Sequence, residues 1–240
     1  MHSTTSLQGK TALITGGTKG IGLGIAQQMA AEKMRVAITG RNPDETKQVA
    51  DQLINLGATD ALGLACDVRN WSGQQECVAQ IMDKWNHLDV VIANAGVGHY
   101  ESIDTMSHEK WSDVIDTNLT GVFNTVKATV EALKSSKGYL ITIASLAGTN
   151  FFANGAAYNA SKFGLVGFTQ AVMLDLRKFG IKVSTIMPGS VATYFNGHIP
   201  GDNDDWKIQP EDIGELVIDL LKMNPRTLPS KIEVRPSQPK

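Results

Sequence analysis

A tyrosine and a lysine four residues apart, Tyr158 and Lys162, are the residues best suited to acid–base chemistry in this chain. Positions four apart on a helix lie on the same face, one turn from each other. Ser145 follows the apolar run 139–143, which is typical of a buried strand. A hydroxyl at a strand end and a phenol on the next helix can converge on one carbonyl oxygen. The spacing therefore predicts proton transfer to an oxygen while hydride reaches the adjacent carbon.

The lysine matters because of the tyrosine pKa, which is about 10 in a free side chain and makes the phenol a poor base at neutral pH. A nearby ammonium favours the phenolate. Bringing the pKa of Tyr158 to neutrality takes roughly 3 units, or about 4 kcal/mol. Lys162 and a second positive charge, such as that of a cofactor ring, could supply this in a partly desolvated cleft. For the pair alone, the alternative is a half-buried tyrosine beside a solvated lysine.

A glycine-rich segment lies between a short buried strand, 10–15, and a helix with an apolar face. Strand, glycine turn and helix form the context that a nucleotide-phosphate loop requires. The helix N-terminus offers free N–H groups and the positive end of a dipole. The alternative is an ordinary turn that is rich in glycine. We predict a pyrophosphate loop formed by Gly16, Thr18, Lys19, Gly20, Ile21 and Gly22.

The second strand, 35–39, ends without the acid that usually holds the ribose 2′-hydroxyl of a dinucleotide. Arg41 stands near that place instead, and Lys19 offers a second cation. A charge-assisted hydrogen bond contributes about 1.5–3 kcal/mol, so two such bonds to a 2′-phosphate would favour NADP(H) at least tens-fold, roughly. The alternative is that both residues are solvated surface charges.

Two acids that come slightly later, Asp44 and Glu45, have a local explanation. Asn42 is typical of a helix N-cap, and Pro43 suits the first helical position. Glu45 then completes a capping box with Asn42. These carboxylates are therefore assigned to the helix start and not to a ribose.

Strands and helices alternate along the whole chain. This alternation predicts an α/β fold, a Rossmann-type doubly wound parallel sheet of about seven strands with helices on both faces, in one domain of residues 1–240. In such sheets ligands bind at the carboxyl ends of the strands. The polar segment at about 190–209 is predicted to be a short substrate lid. Besides the strands above, we predict strands at 61–65, 89–93, 182–187 and 232–234, and helices at 43–56, 71–85, 109–118, 121–135, 158–179 and 210–222.

Composition excludes several classes of function. The net charge of −2 gives no electrostatic reason to expect nucleic acid or an anionic membrane as a partner. No apolar run approaches the roughly 20 residues that span a bilayer, and the N-terminus lacks a signal-peptide core. Cys66 and Cys77 have no metal-ligand or disulfide spacing. We interpret them as reduced core thiols in a cytoplasmic protein.

In its ordered set of motifs the sequence resembles the single-domain form of the short-chain dehydrogenase/reductase family. The resemblance covers nearly the whole chain. Each motif is weak singly, and the order and spacing carry the resemblance. The motifs are Thr15-Gly16-x3-Gly20-x-Gly22, Asp67, Asn94-Ala95-Gly96, Asn118, Ser145, Tyr158-x3-Lys162 and Pro188-Gly189.

The resemblance implies four catalytic residues. Tyr158 is the general acid in reduction and the base in oxidation, and Ser145 orients and polarises the substrate carbonyl. Lys162 binds the nicotinamide ribose and lowers the pKa of Tyr158. Asn118 holds a water that extends the proton relay through Lys162. On its own, Asn118 is better explained as a helix-end residue, and only the ordered set of motifs favours the functional role.

The resemblance also implies an NADP(H) site, and we expect no metal site. The glycines hold the pyrophosphate, Asp67 contacts the adenine and Asn94 braces the sheet beside the cofactor. Pro188, Gly189 and Thr193 lie against the nicotinamide end. Taken alone, Asp67 is better explained as a turn-capping acid, and only the ordered set of motifs favours the functional role. The full set of expected cofactor-binding residues is Gly16, Thr18, Lys19, Gly20, Ile21, Gly22, Arg41, Asn42, Asp67, Val68, Asn94, Ala95, Gly96, Lys162, Pro188, Gly189, Val191 and Thr193.

The expected function is NADP(H)-dependent interconversion of a ketone and its secondary alcohol, by a homodimer or homotetramer. One alternative is a 3-oxoacyl thioester reductase, although the C-terminal sequence 232–236 departs from that branch. An alternative of another class is a non-catalytic NADP(H) sensor or scaffold. We expect the substrate pocket walls to include Phe151, Phe152, His99, Tyr100, Tyr194 and Phe195, for which the alternative is ordinary loop packing.

Overall fold

A seven-stranded parallel sheet forms the centre of the computed structural model, which describes residues 6–238. The strands lie in the order β3-β2-β1-β4-β5-β6-β7. The order therefore reverses between β1 and β4, and this switch point opens a crevice at the carboxyl ends of the strands. The strands are β1 Thr11–Thr15, β2 Arg35–Gly40, β3 Asp60–Ala65, β4 Val90–Ala93, β5 Tyr139–Ile143, β6 Lys182–Pro188 and β7 Lys231–Val234.

The central strands are buried on both faces, which explains why they are nearly continuous apolar runs. Every residue of β1, β4 and β5 is buried. The predicted fold class and all seven strands are confirmed, with ends that differ by about one residue.

Three helices cover each face of the sheet. Met29 of α1, Leu53 of α2 and Val217 of α7 belong to one apolar core. Ile81 of α3 and Leu133 of α5 belong to the other, together with residues of α6. The helices are α1 Gly20–Ala31, α2 Pro43–Asn55, α3 Trp71–Trp85, α4 His108–Ile115, α5 Gly121–Ser136, α6 Ala156–Leu176 and α7 Pro210–Lys222.

The start of α2 agrees with only part of the prediction. Asn42 caps the helix, because its Oδ1 accepts from the backbone N–H groups of Asp44 at 2.9 Å and Glu45 at 3.3 Å, and Pro43 is the first helical residue. The reciprocal bond from the Asn42 N–H to the Glu45 carboxylate is not found among residues 6–238. The predicted capping box is therefore wrong, and Glu45 instead lines the crevice at the switch point.

The two helices predicted at 109–118 and 121–135 are joined without a break. A π-helical turn, Asp116–Thr120, connects α4 directly to α5 and contains Asn118. Such turns are rare in proteins as a whole, and those that occur are frequently found at functional sites. The helix predicted at 158–179 begins earlier, at Ala156, and its last turn, Arg177–Phe179, is a 3₁₀ helix.

The segment 190–209 is tied together at its base. Val191 and Ile208 form an isolated parallel bridge, and the Ala192 N–H donates to the Ile208 carbonyl at 2.9 Å. Between them lie two 3₁₀ turns, Phe195–Gly197 and Asp202–Asp204.

Within residues 6–238, no helix is long and apolar enough to cross a membrane. Cys66 and Cys77 are both free and buried.

Gly63 tests the packing of β3 against α2. A Cβ at this position would overlap the backbone carbonyl of Thr46, which cannot move aside as a flexible side chain can. We expect Gly63→Ala to lower the free energy of unfolding by about 3 kcal/mol in urea titrations. Gly167, in α6, has nothing within 4 Å of the same atom. The control Gly167→Ala should raise stability by about 0.5–1 kcal/mol, and equal effects of the two changes would contradict the packing described.

Candidate active site

Tyr158 and Lys162 lie in the first two turns of α6, and both are buried, with 8% and 4% of their surface exposed. The Lys162 Nζ lies 5.7 Å from the centroid of the Tyr158 ring. It donates to the carbonyl oxygen of Ile143, the last residue of β5, at 3.1 Å. The alternative of a solvated lysine beside a half-buried tyrosine is therefore wrong.

Asn159 fixes the start of α6 to the loop that precedes it. Its Nδ2 donates to the carbonyl oxygens of Ala147 and Asn150, each at 2.8 Å. The neighbouring Ser161 Oγ donates to the Tyr158 carbonyl oxygen at 2.8 Å. We did not predict these roles, because no periodicity or motif distinguishes Asn159 and Ser161 from other polar residues on a helix.

Ser145 stands at the carboxyl ends of two neighbouring strands. It follows β5 closely, and its Oγ accepts from the Ala147 N–H at 3.1 Å, which caps the 3₁₀ turn Leu146–Gly148. The same hydroxyl lies 3.5 Å from the carbonyl oxygen of Pro188, at the end of β6. The side chain is thereby held at the mouth of the crevice, on the side where Tyr158 lies.

Burial controls the ionisation of this pair. Desolvation raises the pKa of Tyr158 above its usual value, the neighbouring Tyr100 adds to this, and a hydrogen bond with Ser145 acts in the opposite direction. Desolvation lowers the pKa of Lys162 to about 8. Loss of water around the phenol is the largest cause in the protein itself. Tyr158 therefore carries its proton at neutral pH. The expected lowering by Lys162 together with the positive charge of an oxidised cofactor stays a prediction.

The Asn118 side chain is fully buried in the π-helical turn and does not line the crevice. Its Oδ1 accepts from the Val97 N–H at 2.8 Å, and its Nδ2 donates to the Val97 carbonyl at 2.9 Å and to the Ser161 Oγ at 3.0 Å. The amide thus connects the loop after β4 to α6. Its predicted part in holding a water stays a prediction.

The glycine loop has the geometry of an anion cradle. Gly16 and Gly20 have φ values of +65° and +56°, in the left-handed region that favours glycine. A Cβ on Gly22 would overlap the Gly16 carbonyl oxygen. Helix α1 begins at Gly20 with no side-chain cap and no acid in its first turn, which leaves its first N–H groups for an anion. These residues fit a pyrophosphate.

Asn94 and Thr15 join the two strands at the switch point. The Asn94 Nδ2 donates to the carbonyl oxygens of Thr15 at 2.9 Å and Gly16 at 3.0 Å. The Thr15 Oγ1 accepts from the N–H groups of Asn94 at 3.0 Å and Ala95 at 3.2 Å. This reciprocal pair fixes the glycine loop relative to the end of β4.

Charged side chains also line the crevice. Arg69, which we did not predict, pairs with Asp67 at 2.6 Å and with Asp113 at 2.9 Å. Its hydrogen bonds are the main cause that lowers the pKa of Asp67, to which Arg41 also contributes. Within residues 6–238, neither Lys19 nor Arg41 forms an ion pair with a carboxylate closer than 4.0 Å, and both line the crevice. Both cations are therefore available to an anionic ligand.

One cleft of about 1590 Å³ brings these residues together at the carboxyl ends of the strands. Of the predicted site residues, all line it except Gly22 and Asn118, which support its walls from behind. The predicted wall residues line it too, with one exception. Phe151 is 87% exposed and does not contribute to the cleft, so its assignment to the wall is wrong.

A family model described as short chain dehydrogenase matches residues 10–204. The chain belongs to the short-chain dehydrogenase/reductase family. Members of this family are oxidoreductases that use nicotinamide cofactors. Among its relatives is a protein of Streptomyces coelicolor provisionally named a ketoacyl reductase, which is 33% identical over 227 residues, 93% of this chain and 87% of the relative.

Solved structures of the family superpose on nearly the whole chain. An alcohol dehydrogenase from Thermococcus sibiricus, complexed with 5-hydroxy-NADP, is 26% identical with a TM-score of 0.91 and covers 97% of this chain and 100% of its own. A single-residue variant of the actinorhodin polyketide ketoreductase with NADPH is 30% identical with a TM-score of 0.86. The match covers 95% of this chain and 96% of the ketoreductase. A carveol dehydrogenase from Mycobacterium avium with NAD shares the fold at 24% identity.

The buried Lys162 makes stability depend on pH. Its pKa of about 8 lies below the usual 10.5, so the folded state holds a costly buried ammonium at pH 7. From about pH 8 to 10.5 the unfolded chain binds more protons, and stability rises with pH. Relative to Lys162→Met, the unmodified protein should gain about 2 kcal/mol of unfolding free energy between roughly pH 7 and 9.5.

Urea titrations at both pH values measure this difference. Tyr158 does not contribute below the ordinary tyrosine pKa of about 10, because it is neutral in both states. Lys47→Met, at an exposed position of α2, is the control and should show no such change. A pH-independent difference between the protein and Lys162→Met would contradict a desolvated ammonium.

Proposed function

We propose that the protein is an NADP(H)-dependent oxidoreductase that reduces a ketone to a secondary alcohol, and catalyses the reverse reaction when the oxidised cofactor is bound. The observation that carries this proposal is the buried phenol of Tyr158, which keeps its proton at neutral pH and faces the cleft beside the Ser145 hydroxyl. A general acid in a reduction must hold a proton until negative charge develops on the oxygen.

In the proposed reaction the substrate carbonyl oxygen accepts hydrogen bonds from Tyr158 and Ser145. A nicotinamide cofactor, when bound along the glycine loop and Lys162, would supply the hydride that the carbonyl carbon receives. Tyr158 gives its proton to the oxygen as the negative charge develops there, and Ser145 stabilises that charge. Lys162 would hold the nicotinamide ribose and return a proton to Tyr158. Asn118 acts behind them by fixing the loop after β4 to α6.

The preference for NADP(H) rests on Lys19 and Arg41, which offer two unpaired cations at the adenosine end of the cleft. The relatives that contain NADP or NADPH support it, whereas the one with NAD shows that the fold also accepts the other cofactor. The substrate would enter under the lid at 190–209. A homodimer or homotetramer, the domain limits 1–240 and a cytoplasmic location are further proposals from the sequence.

A second candidate, reduction of 3-oxoacyl thioesters, is favoured by the name of the Streptomyces coelicolor relative. A non-catalytic NADP(H) sensor is disfavoured, because Asn118, Ser145, Tyr158 and Lys162 are all present. A carbonyl panel that includes diketones, 3-oxo acids and oxoacyl thioesters distinguishes these functions. A sensor would bind NADPH tightly and oxidise none of it.

Tyr158→Phe tests the proposed acid. Removing the proton donor should lower kcat for ketone reduction by about 10²–10⁴-fold. NADPH binding, followed by cofactor fluorescence, should persist because the glycine loop is untouched. Tyr139→Phe is the matched control, since that hydroxyl bonds to Ser184 inside the sheet and does not line the cleft. Unchanged turnover in Tyr158→Phe would assign the proton to another group.

Arg41→Ala tests the cofactor preference. The loss of one charge-assisted contact should reduce the ratio of kcat/KM for NADPH to that for NADH by about 10- to 150-fold. Lys19→Ala should act in the same direction. Arg226→Ala, which removes an exposed cation outside the cleft, should leave the ratio unchanged. An unmodified protein that oxidises only NADH would show that Lys19 and Arg41 are ordinary surface charges.

A further inference from the structure

Two aromatic rings contact Tyr158 at the substrate end of the cleft, and a third packs against one of them. The Tyr100 ring meets the Tyr158 ring edge-on, with centroids 5.4 Å apart, and the Phe195 ring lies tilted against it at 5.6 Å. Phe152 meets Tyr100 edge-on at 5.4 Å. All four residues line the cleft. We call Tyr100, Phe152 and Phe195 the ring cluster.

The ring cluster is accommodated by glycines on the neighbouring loops. A Cβ on Gly98 would lie 2.5 Å from the Phe195 ring, and one on Gly155 would lie 2.7 Å from the Phe152 ring. Contacts this short are not tolerated, so a larger residue at either position would displace a ring. Tyr100 and Phe152 remain 43% and 45% exposed. They therefore present large apolar surfaces to a ligand beside the acid.

Charge at this end of the cleft is internally neutralised. Among residues 6–238, each basic side chain that lines the substrate end, apart from the buried Lys162, faces a carboxylate of the same chain. The pairs are His99 with Asp113 at 2.9 Å, His198 with Asp204 at 2.6 Å, Lys207 with Asp204 at 2.6 Å and Arg235 with Glu233 at 3.1 Å. The unpaired cations, Lys19 and Arg41, lie at the opposite end. Near Tyr158 an anionic substrate would meet only the buried Lys162, whose Nζ already donates to the Ile143 carbonyl oxygen.

We propose that the substrate is an uncharged aryl ketone, in which a flat aromatic ring stands next to the carbonyl group. This inference rests on the proposed function and specifies its substrate class. The ring would pack edge-on or offset against Tyr100 and Phe152 while the carbonyl oxygen faces Tyr158 and Ser145. Hydride from NADPH forms the new C–H bond, and the Tyr158 proton goes to the oxygen and is replaced from solvent. NADP⁺ and the secondary alcohol are the products.

Two substrate pairs test the proposal with the NADPH-loaded enzyme. Acetophenone and 2-octanone have the same number of carbons, and only the first has a ring. Each aromatic pair favours the bound ring by about 2- to 12-fold, so kcat/KM should be about tenfold or more higher for acetophenone. The kcat/KM for the amide 4-acetylbenzamide should exceed that for the similarly shaped 4-acetylbenzoate by about tenfold, because an unpaired carboxylate loses its hydration on binding. Equal values within both pairs would overturn the proposal.

Two neighbouring phenylalanines provide a matched pair of variants. Phe152→Leu should reduce the ratio of kcat/KM for acetophenone over 2-octanone to within about twofold, because the edge contact is lost. Phe151→Leu changes a residue that is 87% exposed and outside the cleft, and should leave the ratio unchanged. Equal changes of the ratio in both variants would show that the ring cluster does not select the substrate.

A binding measurement separates failure of this inference from failure of the proposed function. Absence of NADPH oxidation with every ketone would overturn the proposed reductase. In that case, saturation-transfer NMR of 1-phenylethanol with the NADP⁺-loaded protein still tests the ring cluster. Transfer to the ring protons that is lost in Phe152→Leu supports the site, whereas no transfer to the ring protons in the unmodified protein overturns it.

Discussion

Burial of Tyr158 and Lys162 in one wall of the cleft is the constraint on which the site depends. Taking the ammonium out of water costs free energy, and the bond from the Lys162 Nζ to the Ile143 carbonyl compensates only in part, since desolvation still lowers its pKa to about 8. The same burial raises the pKa of the phenol. A protonated phenol and a desolvated ammonium are thereby held together in one wall of the cleft.

This arrangement needs a rigid support, which the sheet and three side-chain amides supply. Asn159 fixes α6 to the loop after β5, Asn118 fixes α6 to the loop after β4, and Asn94 fixes the loop after β1 to β4. Each amide satisfies backbone groups at the carboxyl end of a strand, where the ladder of the sheet has ended. Tyr158, Ser145 and the glycine loop are therefore positioned by one connected network.

The fold was predictable because its signals are local. Buried parallel strands are apolar runs, and the glycine loop stands between a recognisable strand and helix. That Tyr158, Lys162 and Ser145 lie together was predictable for the same reason, from spacings within neighbouring elements. The π-helical turn at Asn118 was not, because one extra residue in a helical turn leaves no distinct pattern in the sequence.

Features that arise from contacts between distant segments could not be derived from spacing. Arg69 forms an ion pair with Asp113, which lies 44 positions later in the sequence, and neither residue belongs to a motif. The direction of the pKa shift of Tyr158 depends on how much water the fold removes, which the sequence does not specify. Phe151 is exposed, whereas its neighbour Phe152 lines the cleft. The loop that carries both has no periodicity from which this difference could be predicted.

The protonation state of Tyr158 is measured most directly by ¹³C NMR of protein labelled at tyrosine Cζ, with Tyr158→Phe to assign the resonance. If burial dominates, the Tyr158 signal should stay at the phenol position as the pH is raised to about 10, where exposed tyrosines titrate. A half-titration near neutral pH would contradict the account, because Tyr158 would then be a phenolate held by Lys162 and not a proton donor held by desolvation.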